Sequence, residues 1–212
     1  MIIFDLDDTL IDTSGSVTPF KLQRAVEILV GKRDGDALKR LVAINRRAAR
    51  TQDAIRAFGQ EVGATQGLIE DALNQLKEPL PKNFSVSTTP NAKEILSFYS
   101  NQATLALVTV GHPPFQKEKA EKAGLELSIF SKIAIPENSF KRPFYEALAK
   151  EYSTNSKNIW VCGDRVSVDL QPAYELGFRT IHMRWGRGEQ EPEYPWLDGT
   201  VRDLNELRKI IQ

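Results

Sequence analysis

Residues 1–10 read MIIFDLDDTL, and this stretch decides the fold. Ile2, Ile3 and Phe4 are the apolar run of a short buried strand, and Asp5, Asp7 and Asp8 crowd its carboxyl end. Period-two alternation sets Asp5 and Asp7 on one side of the strand over 2–6, with Leu6 and Asp8 facing away. Carboxylates this close repel strongly once desolvated, so they require open water, a shared proton or a cation. A solvated polar turn meets the first condition, and a bound cation meets the third. A calcium loop of the EF-hand kind beginning at Asp5 is excluded, because Leu10 stands where glycine belongs and Ser16 where glutamate belongs.

Working outward, the chain changes character after this strand. Residues 13–87 read as four helices and a connector. Thr18-Pro19 starts the first, whose stripe is Leu22, Val26, Leu29 and Val30 before Gly31. Leu38, Leu41, Val42 and Asn45, with Ala48 and Ala49, mark the second, and Ala54, Ile55, Phe58 and Val62 the third. Thr65 caps a fourth carrying Leu68, Ile69, Ala72, Leu73 and Leu76. Pro79, Pro81 and the Ser/Thr-rich run to Pro90 read as the connector.

Beyond Pro90, helix and strand alternate. Helical 91–100 precedes TLALVTV at 104–110, helical 113–123 precedes IFSKIAI at 129–135, and helical 143–151 precedes NIWVCG at 158–163. Helical 167–176, closed by Gly177, precedes RTIHMRW at 179–185. Such repetition predicts an α/β fold, a Rossmann-like parallel sheet with helices on both faces. One short strand cannot stand alone beside a helical bundle, so 2–6 belongs to that sheet. The expected division is therefore 1–12 with 88–212 as the α/β core, and 13–87 as an inserted four-helix domain.

The bulk composition is that of an ordinary globular chain: 212 residues, 41% hydrophobic and 26% charged. Basic and acidic residues balance at 28 each, which gives no reason to expect nucleic acid or an anionic membrane as partner. Cys162 is the single cysteine, so an internal disulfide is excluded and a reducing, cytoplasmic setting is expected. The N-terminal apolar run is too short for a signal peptide, and no stretch has transmembrane length.

Open parallel sheets bind ligands where their strands end. Asp5 and Asp7, Thr109, and Gly163-Asp164 all fall at such ends, which points to one site. Two carboxylates on one strand end suit a nucleophile and a general acid and base. The acids, joined by Asp164 and Asp169, make an all-oxygen ligand set apt for Mg²⁺. Phosphoryl transfer further wants donors and a cation around the phosphoryl oxygens, for which Thr109 and Lys141 are the candidates. Taken singly, Thr109 reads as an ordinary strand threonine and Lys141 as a surface lysine. Likewise the arginines 46, 47, 50 and 56 read as a solvated helix face, His182 and Cys162 as buried structural residues, and His112 as a loop residue with or without a substrate contact.

Together these residues resemble the haloacid dehalogenase superfamily of hydrolases. FDLDDTL is similar to its Asp-x-Asp-x-Thr motif, LALVTVG to its strand ending in Thr or Ser, and Lys141 in SFKRPFYEALAKEY to its third motif. VCGDRVSVDL, continued by AYELGFRTIHMRWG, is similar to the Gly-Asp-x-x-x-x-Asp motif. The resemblance implies Asp5 as nucleophile, Asp7 as acid and base, and Thr109 and Lys141 as phosphoryl-binding residues. It implies Mg²⁺ on Asp5, Asp164 and the Asp7 backbone carbonyl, with Asp169 orienting metal waters or Lys141. The insertion resembles the family's type 1 cap, which covers the site and selects substrates. A second acid at Asp7 implies a phosphatase acting on a small phosphorylated metabolite through an aspartyl-phosphate. A phosphomutase with the same site, or a retired binding protein of this fold, shares the pattern. Two positions depart from it: Val110 stands where Asn is common, and Arg142 where Pro is common.

Overall fold

Ile2, Ile3 and Phe4 are buried and form strand β1 (Ile2–Phe4). They can be apolar without alternation because parallel neighbours on both edges and covered faces leave no wet side. The computed structural model describes residues 1–48, 50–138 and 140–211, so Ala49 of the second expected helix lies outside the described residues. The chain divides into two compact units, Met1–Ser14 with Lys82–Gln212, and Gly15–Pro81.

The second unit contains α1 (Val17–Val30), α2 (Gly35–Arg47), α3 (Thr51–Glu61) and α4 (Gln66–Asn74). Asp34 caps α2 through Asp36 and Ala37, and Thr65 caps α4 through Leu68. Their apolar stripes meet in one core of Leu22, Val26, Leu41, Ile55, Phe58, Ile69 and their neighbours.

In the first unit, α5 (Ala92–Ser100), β2 (Leu105–Val108), α6 (Pro113–Lys122), β3 (Lys132–Ala134), α7 (Arg142–Glu151) and β4 (Trp160–Gly163) follow β1. Then come α8 (Gln171–Glu175), β5 (Arg179–Met183), β6 (Gly199–Val201) and α9 (Leu207–Ile210). The sheet order is β3-β2-β1-β4-β5-β6 and every pairing is parallel. β1 is central, with Ile3 in register with Ala106 on one side and Val161 on the other. The sequence runs outward from β1 in both directions, so the acids sit at the switch point where such sheets bind ligands. On one face Tyr145, Leu148, Leu170 and Ala173 pack against Ile3, Ala106, Val108 and Val161.

Several elements are shorter or different from what the sequence predicts. The expected strand 129–135 is a 3-10 turn (Leu127–Ile129) followed by the three residues of β3. The expected helix 167–176 begins as a π-helical turn (Val166–Leu170) before α8, and the wider turn carries Asp169 back toward the end of β4. β6 was not expected, because Gly-Thr-Val is a weak strand signal on its own. The segment 185–196 contains a 3-10 turn (Gly186–Gln190), after which Trp196 stacks on Tyr174 at 4.7 Å. Among the described residues no helix is long and apolar enough to cross a membrane.

Candidate active site

The backbone amide of Asp5 donates to the Cys162 carbonyl at 3.0 Å, extending the β1–β4 ladder by one residue. Beyond it the chain turns tightly: Leu10 and Ile11 both donate to the Leu6 carbonyl, and Asp8 takes a left-handed φ of 56°. Asp8 braces this turn. It is buried, and its carboxylate accepts from the Ser14 amide at 2.7 Å and the Ser14 hydroxyl at 2.5 Å.

Asp5, Asp164 and Asp169 each offer a carboxylate oxygen, and these lie within 4.8 Å of one another. All three side chains are buried. Burial raises the Asp5 carboxyl, Lys141 works against it, and Asp169 and Asp7 add to the rise, which comes to about 7. Asp164 is raised well above the ordinary carboxylate range, first by burial and then by Asp169 and Asp5. Lys141 is 1% exposed, with Nζ 2.6 Å from Asp5 Oδ1 and 2.6 Å from Asp169 Oδ1. Burial alone would lower its pKa, but the two carboxylates outweigh burial and raise it well above the usual value. One ammonium thus faces three acids, and the surplus negative charge fits a divalent cation held by oxygen ligands.

Asp169 reaches this cluster because Gly163 has no side chain. A Cβ there would stand 2.5 Å from Asp169 Cβ and 2.7 Å from its Oδ2. That Oδ2 also accepts from the Arg165 amide at 2.9 Å, so the carboxylate that pairs with Lys141 is itself held in place. Behind the site His182 Nε2 lies 3.1 Å from the Asp164 carbonyl. Arg142, beside Lys141, points elsewhere, pairing with Glu146 at 3.0 Å and Glu175 at 2.9 Å. Its presence does not displace the lysine.

The Asp7 side chain, expected among the metal ligands, lies outside the triplet of close carboxylates. Its Oδ1 accepts from the Thr13 hydroxyl and from Lys119 Nζ, and its Oδ2 from Gln116 Nε2 at 2.9 Å. Burial would raise Asp7, but Lys119, Thr13 and Gln116 outweigh it and hold the carboxyl below its ordinary value. With 30% of its side chain exposed, Asp7 is also the acid most open to a substrate. Thr109 is buried at the end of β2, its amide on the Ala134 carbonyl at 3.1 Å.

Gln116 and Lys119 escape a reading of the sequence, where PPFQKEKAEK looks like a solvated helix. One signal was available. Gln116, Lys119 and Ala120 share the inward face of α6, and all three are buried. A helix this poor in large apolar residues must turn polar ones inward.

The model of the haloacid dehalogenase-like hydrolase family matches residues 2–183, a span that includes the strand-end acids, Thr109, Lys141 and Asp164. The chain belongs to the haloacid dehalogenase-like hydrolases. A relative, the glyceraldehyde 3-phosphate phosphatase of Methanocaldococcus jannaschii, is 22% identical over 226 aligned positions, covering 100% of this chain and 96% of the relative. The HAD-hydrolase YfnB of Bacillus subtilis, solved bound to magnesium, superposes with a TM-score of 0.77 at 19% identity, covering 100% of this chain and 97% of that one. The family protein SP0104 of Streptococcus pneumoniae gives 0.72 at 17% identity, with coverage of 100% and 97%. These structural likenesses extend the shared haloacid dehalogenase-like fold over the full chain.

Proposed function

We propose that the chain is a Mg²⁺-dependent phosphatase that hydrolyses a small phosphorylated metabolite through an aspartyl-phosphate on Asp5. The observation that carries the reading is the buried charge cluster: Lys141 Nζ lies 2.6 Å from Asp5, inside a triplet of carboxylates, with a second, more open acid two residues along. The phosphatase name of the archaeal relative supports the same class.

Lys141 occupies Asp5 Oδ1, which leaves the other oxygen to attack phosphorus. As the ester P–O bond breaks, the leaving oxygen takes a proton from Asp7, which has first drawn that proton from the bound phosphomonoester monoanion. Asp7, again a carboxylate among Thr13, Lys119 and Gln116, then takes a proton from the water that attacks phosphorus. The bond between phosphorus and Asp5 breaks, releasing inorganic phosphate and the free carboxylate. Asp5 and Asp164, with the Asp7 backbone carbonyl and Asp169 behind them, would hold Mg²⁺, which when bound offsets the repulsion among the acids and the phosphoryl oxygens. Thr109 and Lys141 supply the donor and the fixed cation for the phosphoryl group.

A panel of phosphorylated metabolites, assayed with and without Mg²⁺, tests the reading. Turnover is expected only with the metal, and Asp5→Asn is expected to lose at least about 10⁴-fold in kcat. Acid quenching during turnover should trap phosphate on the wild-type chain and not on the variant. Retained activity in Asp5→Asn, or no turnover of any member of the panel, would overturn it. An isomerised product in place of inorganic phosphate would mark a mutase.

A further inference from the structure

Gln116 is 3% exposed and bridges two parts of the site described above. Its Nε2 lies 2.7 Å from Thr109 Oγ1, 2.9 Å from Asp7 Oδ2 and 3.1 Å from the Val110 carbonyl. A carboxylate oxygen and a backbone carbonyl only accept hydrogen bonds, so the group facing them is the amide NH₂. Its orientation is therefore dictated by its partners. The NH₂ has two protons for three acceptors; the Thr109 hydroxyl, at the shortest of the three distances, accepts one of them, since an amide nitrogen cannot accept in return. Thr109 consequently keeps its own proton for a different acceptor.

The contact is tight by construction. Gly111 has φ 149°, and a Cβ there would stand 3.0 Å from the Gln116 side-chain amide carbon. Lys119, one turn along α6 and 4% exposed, reaches the same Asp7 carboxylate.

We propose that Gln116 is a positioning residue that commits the Thr109 hydroxyl to donate into the phosphoryl pocket and fixes Asp7 beside it, with Lys119 completing the clamp. The proposal rests on the phosphatase reading for the roles of Thr109 and Asp7. Without Gln116 the Thr109 hydroxyl is no longer held as an acceptor, and its proton is free to point away from the substrate.

The test is the binding of inorganic phosphate to the Mg²⁺-loaded protein by calorimetry, alongside steady-state kinetics. Gln116→Met keeps the volume and removes the amide. Gln116→Glu is isosteric and forces Thr109 to donate backwards. Both should weaken phosphate binding about 10-fold or more, the weight of one hydrogen bond to a charged group. In a Thr109→Val background, Gln116→Met should weaken phosphate less than about 2-fold further, since the hydroxyl it directs is gone. In that background kcat should still fall on removing Gln116, because Asp7 loses a partner; this split between binding and turnover is not the pattern of a simple packing defect. Gln116→Asn, too short to reach both partners, provides a conservative variant should the others fail to fold, and should match Gln116→Met. Phosphate binding within about 2-fold of wild type in any folded variant, or an additive loss in the Thr109→Val background, would overturn the proposal. If the wild-type chain hydrolyses no phosphomonoester but its phosphate binding obeys the cycle, the phosphatase reading falls and the Gln116 assignment stands. A wild-type chain that binds no phosphate sinks both.

Discussion

The two units solve opposite problems. The helical unit buries Leu, Ile, Val and Phe, and its buried polar residues, among those described, are Lys21, Asn45 and Gln75. Even there Lys21 is tied off, donating to the carbonyls of Gln75 at 2.8 Å and Glu78 at 2.7 Å. The sheet unit buries Asp5, Asp8, Asp164, Asp169, Lys119 and Lys141 together. Burying charge costs more than burying hydrocarbon gains, so such a cluster survives only because the surrounding sheet over-determines it. The sheet unit thus gives up stability that the helical unit keeps.

Breaking the charge cluster should have the largest effect. Lys141→Met leaves Asp5 and Asp169 without their shared cation. It should lower stability by about 3–5 kcal/mol at neutral pH, read by chemical denaturation, and abolish measurable turnover. A stability change under about 1 kcal/mol would mean the lysine is not the cluster's counter-ion. In the other unit, Phe58→Ala empties the middle of an apolar core and should cost a similar 3–5 kcal/mol. There the loss should appear as faster amide exchange across α1 to α4, with no protonation dependence.

Adding metal sharpens the contrast. A carboxyl at about 7 when folded, against 3.8 when unfolded, binds its proton more tightly in the native chain. Stability of the metal-free protein should therefore fall as pH rises from about 4 to about 7. Asp7 runs the other way: held below its ordinary value, it contributes stability that is present above the ordinary carboxylate range and lost as pH falls through it. On the proposed function Mg²⁺ would compete with the Asp5 proton, so the gain in Tm on adding it should grow from about pH 5 to about pH 8 and reach about 5–10 °C at saturation. A pH-independent gain would place the ion away from Asp5. The smallest effect belongs to a solvent-exposed pair of the same chemistry. Lys132 and Glu151, 3.1 Å apart and half exposed, should yield less than about 0.5 kcal/mol on Lys132→Ala. A larger loss would mean that burial is not what separates the two kinds of pair.

The site's outline was legible because its residues fall at strand ends in a fixed order, and strand ends of a parallel sheet meet in space. Asp5, Asp164 and Asp169 come together as that logic requires, and Lys141 joins them from the start of α7. What stayed hidden depends on side-chain direction within helices. Gln116 and Lys119 are ordinary surface residue types until the inward face of α6 is known. The π-helical turn at Val166–Leu170 was hidden for a related reason, since VSVDL has helical composition and only the demand on Asp169 widens the turn. The small edge strands β3 and β6, three residues each, carry too little pattern to be read apart from their neighbours.

The placement of β1 has a consequence for synthesis. β1 is made before either of its partners: Leu105–Leu107 lies about halfway along the 212 residues and Trp160–Cys162 about three quarters of the way. The bundle of residues 15–81 meets no such delay, since its core residues all lie within that span. A nascent chain therefore carries a foldable bundle tethered to an unpaired, aspartate-tipped apolar strand, which must be kept from other chains until β4 arrives to close over it.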